Sequence, residues 1–395
     1  MTTTVKRLDY LDMAKGIGMV LVLMGHLQGD RIFELSPYFH PMCVFIFSFH
    51  MPLFFLISGI LMRIKEDSSS KSLSMKEHIT KRFKGIMIPY LWFSLCYFSV
   101  VVFALIKGTI AVNTLLVNLW YIISCYGMNV LWFLPALFFG EILFIIIKQN
   151  FSGRKFYGII LISSTICYVL AYILTTLSYD TAILMRLHEL AIVILRPVLV
   201  CGWITAGYTL HGFFSSKTSK NIIVRTLRFA DNSISSENTE KNVLFKCRFM
   251  YILMGIAMLA LCAILSFVNN GVDFRSLVLR NAFFYILCSL LGSYGLISIC
   301  KGLPKIKLLC FWGTGSLIFM AVHNSETVLF YALKAAMFVN QYLTHARGYI
   351  CYLIILGIIL IYTSLMIILI TKYLPFMLGK PFTFKKTAKA AEKED

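Results

Sequence analysis

The feature that most constrains this chain is its succession of apolar runs. Ten segments of mostly apolar residues follow one another, over 11–28, 39–62, 86–106, 130–147, 157–177, 187–210, 249–268, 277–300, 308–337 and 349–372. A run of about twenty apolar residues spans the ~30 Å hydrocarbon core as a helix. Inside hydrocarbon every backbone N–H and C=O must find a partner within the protein, which a helix provides for itself. The composition agrees, at 59% hydrophobic and 14% charged residues, where soluble domains are about half apolar and a quarter charged. The expected fold is all-α: a polytopic integral membrane protein with about ten transmembrane helices.

Charge sets the expected orientation. Lys and Arg gather in the segments 63–85 and 212–248, in the turn 301–307 and in the tail, whereas the alternate loops hold little more than Arg31, Lys107, Arg186, Arg275 and Arg347. Positive residues favour the cytoplasmic side, so both termini are expected there. The formal charge of +19 follows from that bias and from anionic headgroups, and no nucleic-acid partner is needed to explain it. Loops 63–85 and 212–248 lie on one side, so an even number of spans must separate them. The segment 110–123, short and interrupted by Asn113 and Asn118, is therefore expected as an outer interfacial or re-entrant helix. Residues 1–380 form one expected domain without internal repeat, 231–242 reads as unstructured, and 381–395 is a basic cytoplasmic tail. No cleavable leader pattern precedes the first run. The eleven cysteines have no zinc-ligand or redox spacing and suit small core positions. The outer aromatics Phe33, Tyr38, Tyr121, Tyr126 and Tyr342 suit the interfacial belt.

Ionisable residues inside the apolar runs are the chemical signal, because they are costly in a bilayer and tend to face a protein or water interior. The first run carries Asp9, Asp12 and Lys15 at its entering end and His26 at its leaving end. Lys15 and His26 are eleven residues apart, roughly 16 Å along a helix. His323 falls in the same outer half of the ninth run. Pro52, in Phe49-His50-Met51-Pro52, should kink or break the second run. Glu141 and Arg196 fall near mid-depth and either pair with each other or serve separate ends; His188 and Glu189 open the sixth run. A single membrane histidine is often no more than a helix-to-helix hydrogen bond, and that reading applies to His50 and His188.

Four segments carry a family resemblance. They are Asp9-x-x-Asp12-x-x-Lys15-Gly-Ile-x-x-Val-x-x-x-x-Gly25-His26; Phe49-His50-Met51-Pro52-Leu-Phe54-Phe55-Leu-Ile-Ser58-Gly59; Trp132-Phe133-Leu134-Pro135-Ala136-Leu137 with Glu141; and Gly313-Thr-Gly-Ser316-Leu followed by His323. In order, over about 7–370, they resemble the acyltransferase-3 family, bacterial multi-pass enzymes that acylate, usually O-acetylate, surface sugars. The resemblance implies that His26 is the catalytic histidine and that Lys15 lines the acyl-CoA path. Of the family's two arginines three apart before Ile-Pro-Tyr, Arg82 matches the first, while Gly85 stands at the second with Lys84 beside it. No fused esterase-like domain follows, so the acceptor would meet this domain directly. The implied place is the bacterial inner membrane.

The expected mechanism is transmembrane acyl transfer. Lys81, Arg82 and Lys84 hold the phosphates of cytoplasmic acetyl-CoA, and the thioester arm passes Lys15 and Ser58. His26 is the general base on an acceptor hydroxyl, or takes the acyl group itself. Glu141 orients the imidazole, and His323 or Asn324 binds the oxyanion. Expected partners are membrane lipids, acyl-CoA and a sugar or glycan acceptor; a homo-oligomer stays open, and no metal is expected. Acetyl is the family default, with succinyl open and Arg196 as a partner for its second carboxylate. An exporter of a glycan or small acid, and a sensor without chemistry, are the competing readings.

Overall fold

A computed structural model describes residues 8–27, 40–68, 74–214, 237–342 and 347–381. The chain is helical almost throughout: α1 Asp9–His26, α2 His40–Phe47, α3 His50–Ser68, α4 Met75–Arg82, one π-helical turn Phe83–Met87, α5 Ile88–Ile106, α6 Val112–Ile123, α7 Phe133–Asn150, α8 Gly153–Thr176, α9 Ala182–Phe214, α10 Glu237–Ser266, α11 Ala282–Gly302, α12 Lys307–Thr314, α13 Ser316–Val322, α14 Glu326–Asn340 and α15 Arg347–Tyr373. Among the described residues, eight helices are long and apolar enough to cross a membrane, and nine if the bent pair α13–α14 counts as one. The protein is an all-α polytopic membrane protein. Helix α1, with Asp9, Asp12 and Lys15 in its first half, is too charged to qualify by composition, yet one face of it is buried from Leu11 to Gly25.

Burial separates an inner group of helices from an outer one. The most apolar window of the continuous stretch His40–Ser68, and that of Asn129–Asn150, is 72% buried, whereas those of α8 and α10 are only 17% buried. Outward residues such as Leu161, Ile162, Ile264 and Leu253 make apolar surfaces that water would not tolerate at this extent, so lipid is their solvent. Helix α6 has twelve residues and none buried. At about 1.5 Å per residue it is too short to cross. Tyr90 donates to Ile122 O at 2.9 Å, and Trp120 donates to Glu189 at 2.9 Å, tying α6 to α5 and α9.

The inner helices approach closely because of glycines at two crossings. A Cβ on Gly16 would lie 2.1 Å from Leu309 O, and one on Gly313 would lie 1.7 Å from Asp12 O, so α1 and α12 touch backbone to backbone. Gly59 and Gly207 do the same for α3 and α9, each 2.0 Å from a carbonyl of the other helix. Small residues at such seams replace hydrophobic driving force with close packing. Outside the membrane core, Lys305 bonds Asp9 at 2.8 Å, and that carboxylate holds the ammonium above its ordinary pKa.

Several expected boundaries need correction. The ninth run, expected as one helix over 308–337, is broken at Gly315 and again at His323-Asn324-Ser325, where the chain bends by 73°. Gly313-Thr-Gly and Asn-Ser weaken the helix at those points more than the apolar average suggests. The eighth run starts as a folded loop, and its helix begins only at Ala282, capped by the Asn281 side chain. The segment 63–85 is largely helical, with a capping box from Ser74 and Glu77 opening α4. Helix α9 runs on to Phe214, and α10 begins at Glu237, inside the stretch read as unstructured. Residues 215–236, the tail beyond 381, and Arg31, Phe33 and Tyr38 lie outside the described residues.

The break near Pro52 lies one turn earlier, at Ser48-Phe49. Pro52 has no N–H for the Ser48 carbonyl. Ser289 of α11 supplies the missing donor, bonding Ser48 O at 2.8 Å. The ring of His50 caps Ile46 O at 2.9 Å across the same break.

Candidate active site

One cavity of about 410 Å³ runs through the inner helices, within the usual range for a small-molecule site. It is lined along α1 by Lys15, Met19, Val22 and His26, which share one helix face. Lys15 and His26 mark its two ends, roughly 16 Å apart along the helix.

The Lys15 end is built from charge. Lys15 Nζ is 2.7 Å from Asp12 Oδ1, one turn earlier on α1. Arg82, the last residue of α4, reaches Glu141 of α7, its Nε 2.9 Å from Oε2; the contact is close enough for an ion pair but not aligned as a hydrogen bond. Ser58 of α3 donates to the other Glu141 oxygen. Glu141 is only 1% exposed, so it depends on these two partners for its charge. The π-helical turn directly after Arg82 shifts the register between α4 and α5, a local widening often found at functional sites. Arg82 lines the cavity; Lys81 and Lys84 are exposed and do not.

The opposite end carries neutral polar groups on helix breaks, with Asp273 and Arg275 beside them. His26, His50 and His323 all line it, and the rings of His26 and His323 have centroids 5.3 Å apart. His26 also meets Phe47 edge-on at 6.4 Å, and His50 meets Phe47 at 5.1 Å. His323 ends α13, where the last carbonyls lack helical partners. Its Nδ1 is 2.8 Å from Met320 O and 3.2 Å from Phe319 O. A carbonyl oxygen only accepts, so Nδ1 carries the hydrogen, and in the neutral ring Nε2 is left with a free lone pair. That Nε2 is buried with no partner among the described residues. Beside it, Asn324 donates to Asn129 Oδ1 at 2.7 Å, and Asn129 donates back to Asn324 O at 3.3 Å. Each amide keeps one further N–H for a ligand.

The fold thus brings Lys15, Ser58, Arg82 and Glu141 together at one end, and His26, His50, His323 and Asn324 at the other. It does not bring Glu141 to His26: Asn129, at the histidine end, is twelve residues from Glu141, about 18 Å of nearly continuous helix. Nor does Glu141 meet Arg196. Arg196, 1% exposed, instead bonds Arg275 O at 2.8 Å and Tyr126 O at 3.0 Å, beneath the Tyr126 and Trp132 rings. His188 stacks on Tyr179 at 4.1 Å, Glu189 pairs with Arg186 at 2.6 Å, and neither lines the cavity.

Three polar residues that line the cavity were not legible as site residues in the sequence: Asn129, Asp273 and Arg275, the last read only as an outer-loop cation. Asn129 has φ 48°, and Gly127 just before it has φ 87°. A Gly-x-Asn before an apolar helix is a legible signal for such a turn. Asp273 and Arg275 flank an aromatic in what looked like a short linker.

The family model described as an acyltransferase domain matches residues 8–229, more than half of the chain. The chain belongs to the acyltransferase-3 family. The matched segment contains Lys15, His26, Ser58, Arg82 and Glu141 but ends before Asp273, Arg275 and His323. The chain is 37% identical over 143 residues to the nodulation protein NolL of Mesorhizobium japonicum, a match covering 33% of this chain and 34% of that protein. The chain thus spans about a third of that relative's length. No solved structure matches.

Proposed function

We propose that this acyltransferase takes an acyl group, in the first instance acetyl, from cytoplasmic acyl-CoA and transfers it to a hydroxyl of a sugar or glycan at the outer half of the bacterial inner membrane. The observation that carries this reading is one cavity with cations at one end and histidines at the other. Anionic CoA is drawn to Lys15 and Arg82, with Lys81 and Lys84 adding positive potential outside the mouth. Its thioester arm extends past Ser58 along α1 towards His26.

At the histidine end His26 takes the proton of the acceptor hydroxyl. The hydroxyl oxygen attacks the thioester carbonyl carbon, forming the new C–O bond and a tetrahedral oxyanion. The spare amide N–H groups of Asn129 and Asn324 receive that oxyanion. The C–S bond then breaks, and the leaving thiolate takes the proton from the His26 imidazolium, giving the ester and free CoA thiol. His323 is better suited to accept from the His26 ring than to bind an oxyanion, because its Nδ1–H is committed to backbone carbonyls. Orientation of the imidazole, expected of Glu141, falls to His323 in this scheme.

The test uses sealed membrane vesicles carrying wild type or His26→Ala at matched levels. Radiolabelled acetyl-CoA is supplied to the cytoplasmic face, and base-labile label is counted in the glycan fraction. Label that requires His26 is the expected result. Equal label in both would remove His26 as the base, and no label in either would turn attention to the exporter reading.

A further inference from the structure

The loop between α10 and α11 is short but fully folded. Asp273 and Val278 form an antiparallel bridge, with N–H···O bonds of 2.8 and 2.9 Å in the two directions. Leu277 and Arg280 both adopt φ 56°, and Gly271 has φ 80°, a concentration of left-handed conformations that a mere linker does not need. Asn269 closes its base, donating to Leu279 O at 3.3 Å and accepting from Asn281 N at 2.8 Å. Phe274, 4% exposed, anchors the tip in the core, stacked against Trp132 at 6.0 Å and packed on Phe55 at 5.6 Å.

That anchoring places the two charged neighbours of Phe274 against the cavity. Asp273 and Arg275 both line it, on the same end as Asn129, Asn324 and the histidines. Asp273 uses one carboxylate oxygen to receive Arg275 N at 2.9 Å, and the other has no hydrogen bond among the described residues. The Arg275 guanidinium lies 5.9 Å from the Tyr126 ring centroid and makes no ion pair among the described residues. Beneath the loop, Arg196 clamps its backbone through Arg275 O and clamps the neighbouring turn through Tyr126 O. A cation buried to 1% exposure and in no ion pair among the described residues is expensive. It is placed to fix two loops relative to each other.

We propose that the 270–281 loop selects the acceptor: Asp273 and Arg275 grip adjacent hydroxyls of a polyhydroxylated ring beside the Trp132–Phe274 wall, and Arg196 is the positioning residue that holds them there. This rests on the acyl-transfer reading of the same cavity. The chemistry is complementary, since a guanidinium presents a rigid fork of donors and a carboxylate accepts from two hydroxyls. A pair fixed on one loop reads the spacing and configuration of two neighbouring hydroxyls, and a ring with one inverted leaves a polar group unpaired.

The test uses the purified full-length protein in lipid nanodiscs, with acetyl-CoA as donor and the para-nitrophenyl glycosides of glucose, galactose and mannose as acceptors. These differ only in hydroxyl configuration. Wild type is expected to prefer one of the three at least tenfold in kcat/KM. Asp273→Asn and Arg275→Lys should flatten that preference towards unity and raise the glycoside KM about tenfold, with the acetyl-CoA KM moving less than twofold. Arg196→Lys should shift the same two quantities in the same direction. Thermal melting establishes that each variant is folded. An unchanged epimer preference in both loop variants, or an acetyl-CoA KM that rises in parallel, would overturn the proposal. So would a wild type that hydrolyses acetyl-CoA but uses the three glycosides equally or not at all. A wild type that consumes no acetyl-CoA would instead overturn the acyl-transfer reading.

Discussion

The two ends of the cavity are built on opposite principles. The Lys15 end uses full charges, Lys15 with Asp12 and Arg82 with Glu141, at the end of α4 and on intact turns of α1 and α7. The histidine end sets Asp273 and Arg275 on a loop beside neutral groups, of which His50 and His323 are fixed by backbone carbonyls freed where helices break, after α2 and after α13. Charges in a half-wet mouth suit recognition of an anion, which needs field strength more than geometry. Proton transfer needs a known lone pair at a known place, and His323, its Nδ1 tied to carbonyls, presents one at Nε2 next to the His26 ring. Broken helices at membrane depth are tolerated where they line a cavity, and here the breaks supply the acceptors that fix the imidazoles.

This contrast predicts separable defects. The largest is at the histidine end. His26→Ala should lower acyl transfer by roughly 10²–10⁴-fold, while acetyl-CoA still raises the melting temperature of the variant as it does for wild type. A lost thermal shift would mean that the two ends do not act separately. Next, Arg82→Ala should raise the acetyl-CoA KM about tenfold or more, the worth of a charge-assisted hydrogen bond to phosphate. It should also destabilise the protein, because Glu141 keeps only Ser58. Adding Glu141→Gln to Arg82→Ala should restore part of the melting temperature but none of the KM; a double variant no more stable than the single one would refute the buried-pair account.

A smaller effect tests the helix breaks. Ser289→Ala removes the donor that replaces Pro52 at Ser48 O, and should cost about 1 kcal/mol in a denaturation midpoint. No change would mean that water or relaxation fills the site. The smallest effect sharpens the Lys15 end. Gly85 is exposed, and a Cβ there meets nothing within 4 Å. Gly85→Arg should therefore fold and, by adding one more surface cation, lower the acetyl-CoA KM by about two- to fivefold. A higher KM would argue that the phosphates lie elsewhere.

The sequence by itself determined the class of fold and the helix along which the cavity runs. Apolar runs of membrane length leave no choice but helices, and helical rise alone puts Lys15 and His26 at opposite ends of α1. The short α6 was also legible, because twelve residues cannot cross. Partners were not legible. Glu141 sits on an apolar helix at a depth that fits either end, and only the tertiary packing of α3 and α7 on the same helix, α9, and of α4 on α7 gives it to Ser58 and Arg82. Arg196 looked like a mate for a carboxylate, yet it serves two carbonyls from loops far apart in sequence. The break at His323 was hidden because hydropathy averages over a window, whereas a helix ends at a single residue whose side chain takes over the carbonyls. Periodicity and hydropathy are local properties of the chain. Which carbonyl, carboxylate or ring faces which partner depends on residues far apart in sequence, and only tertiary packing decides it.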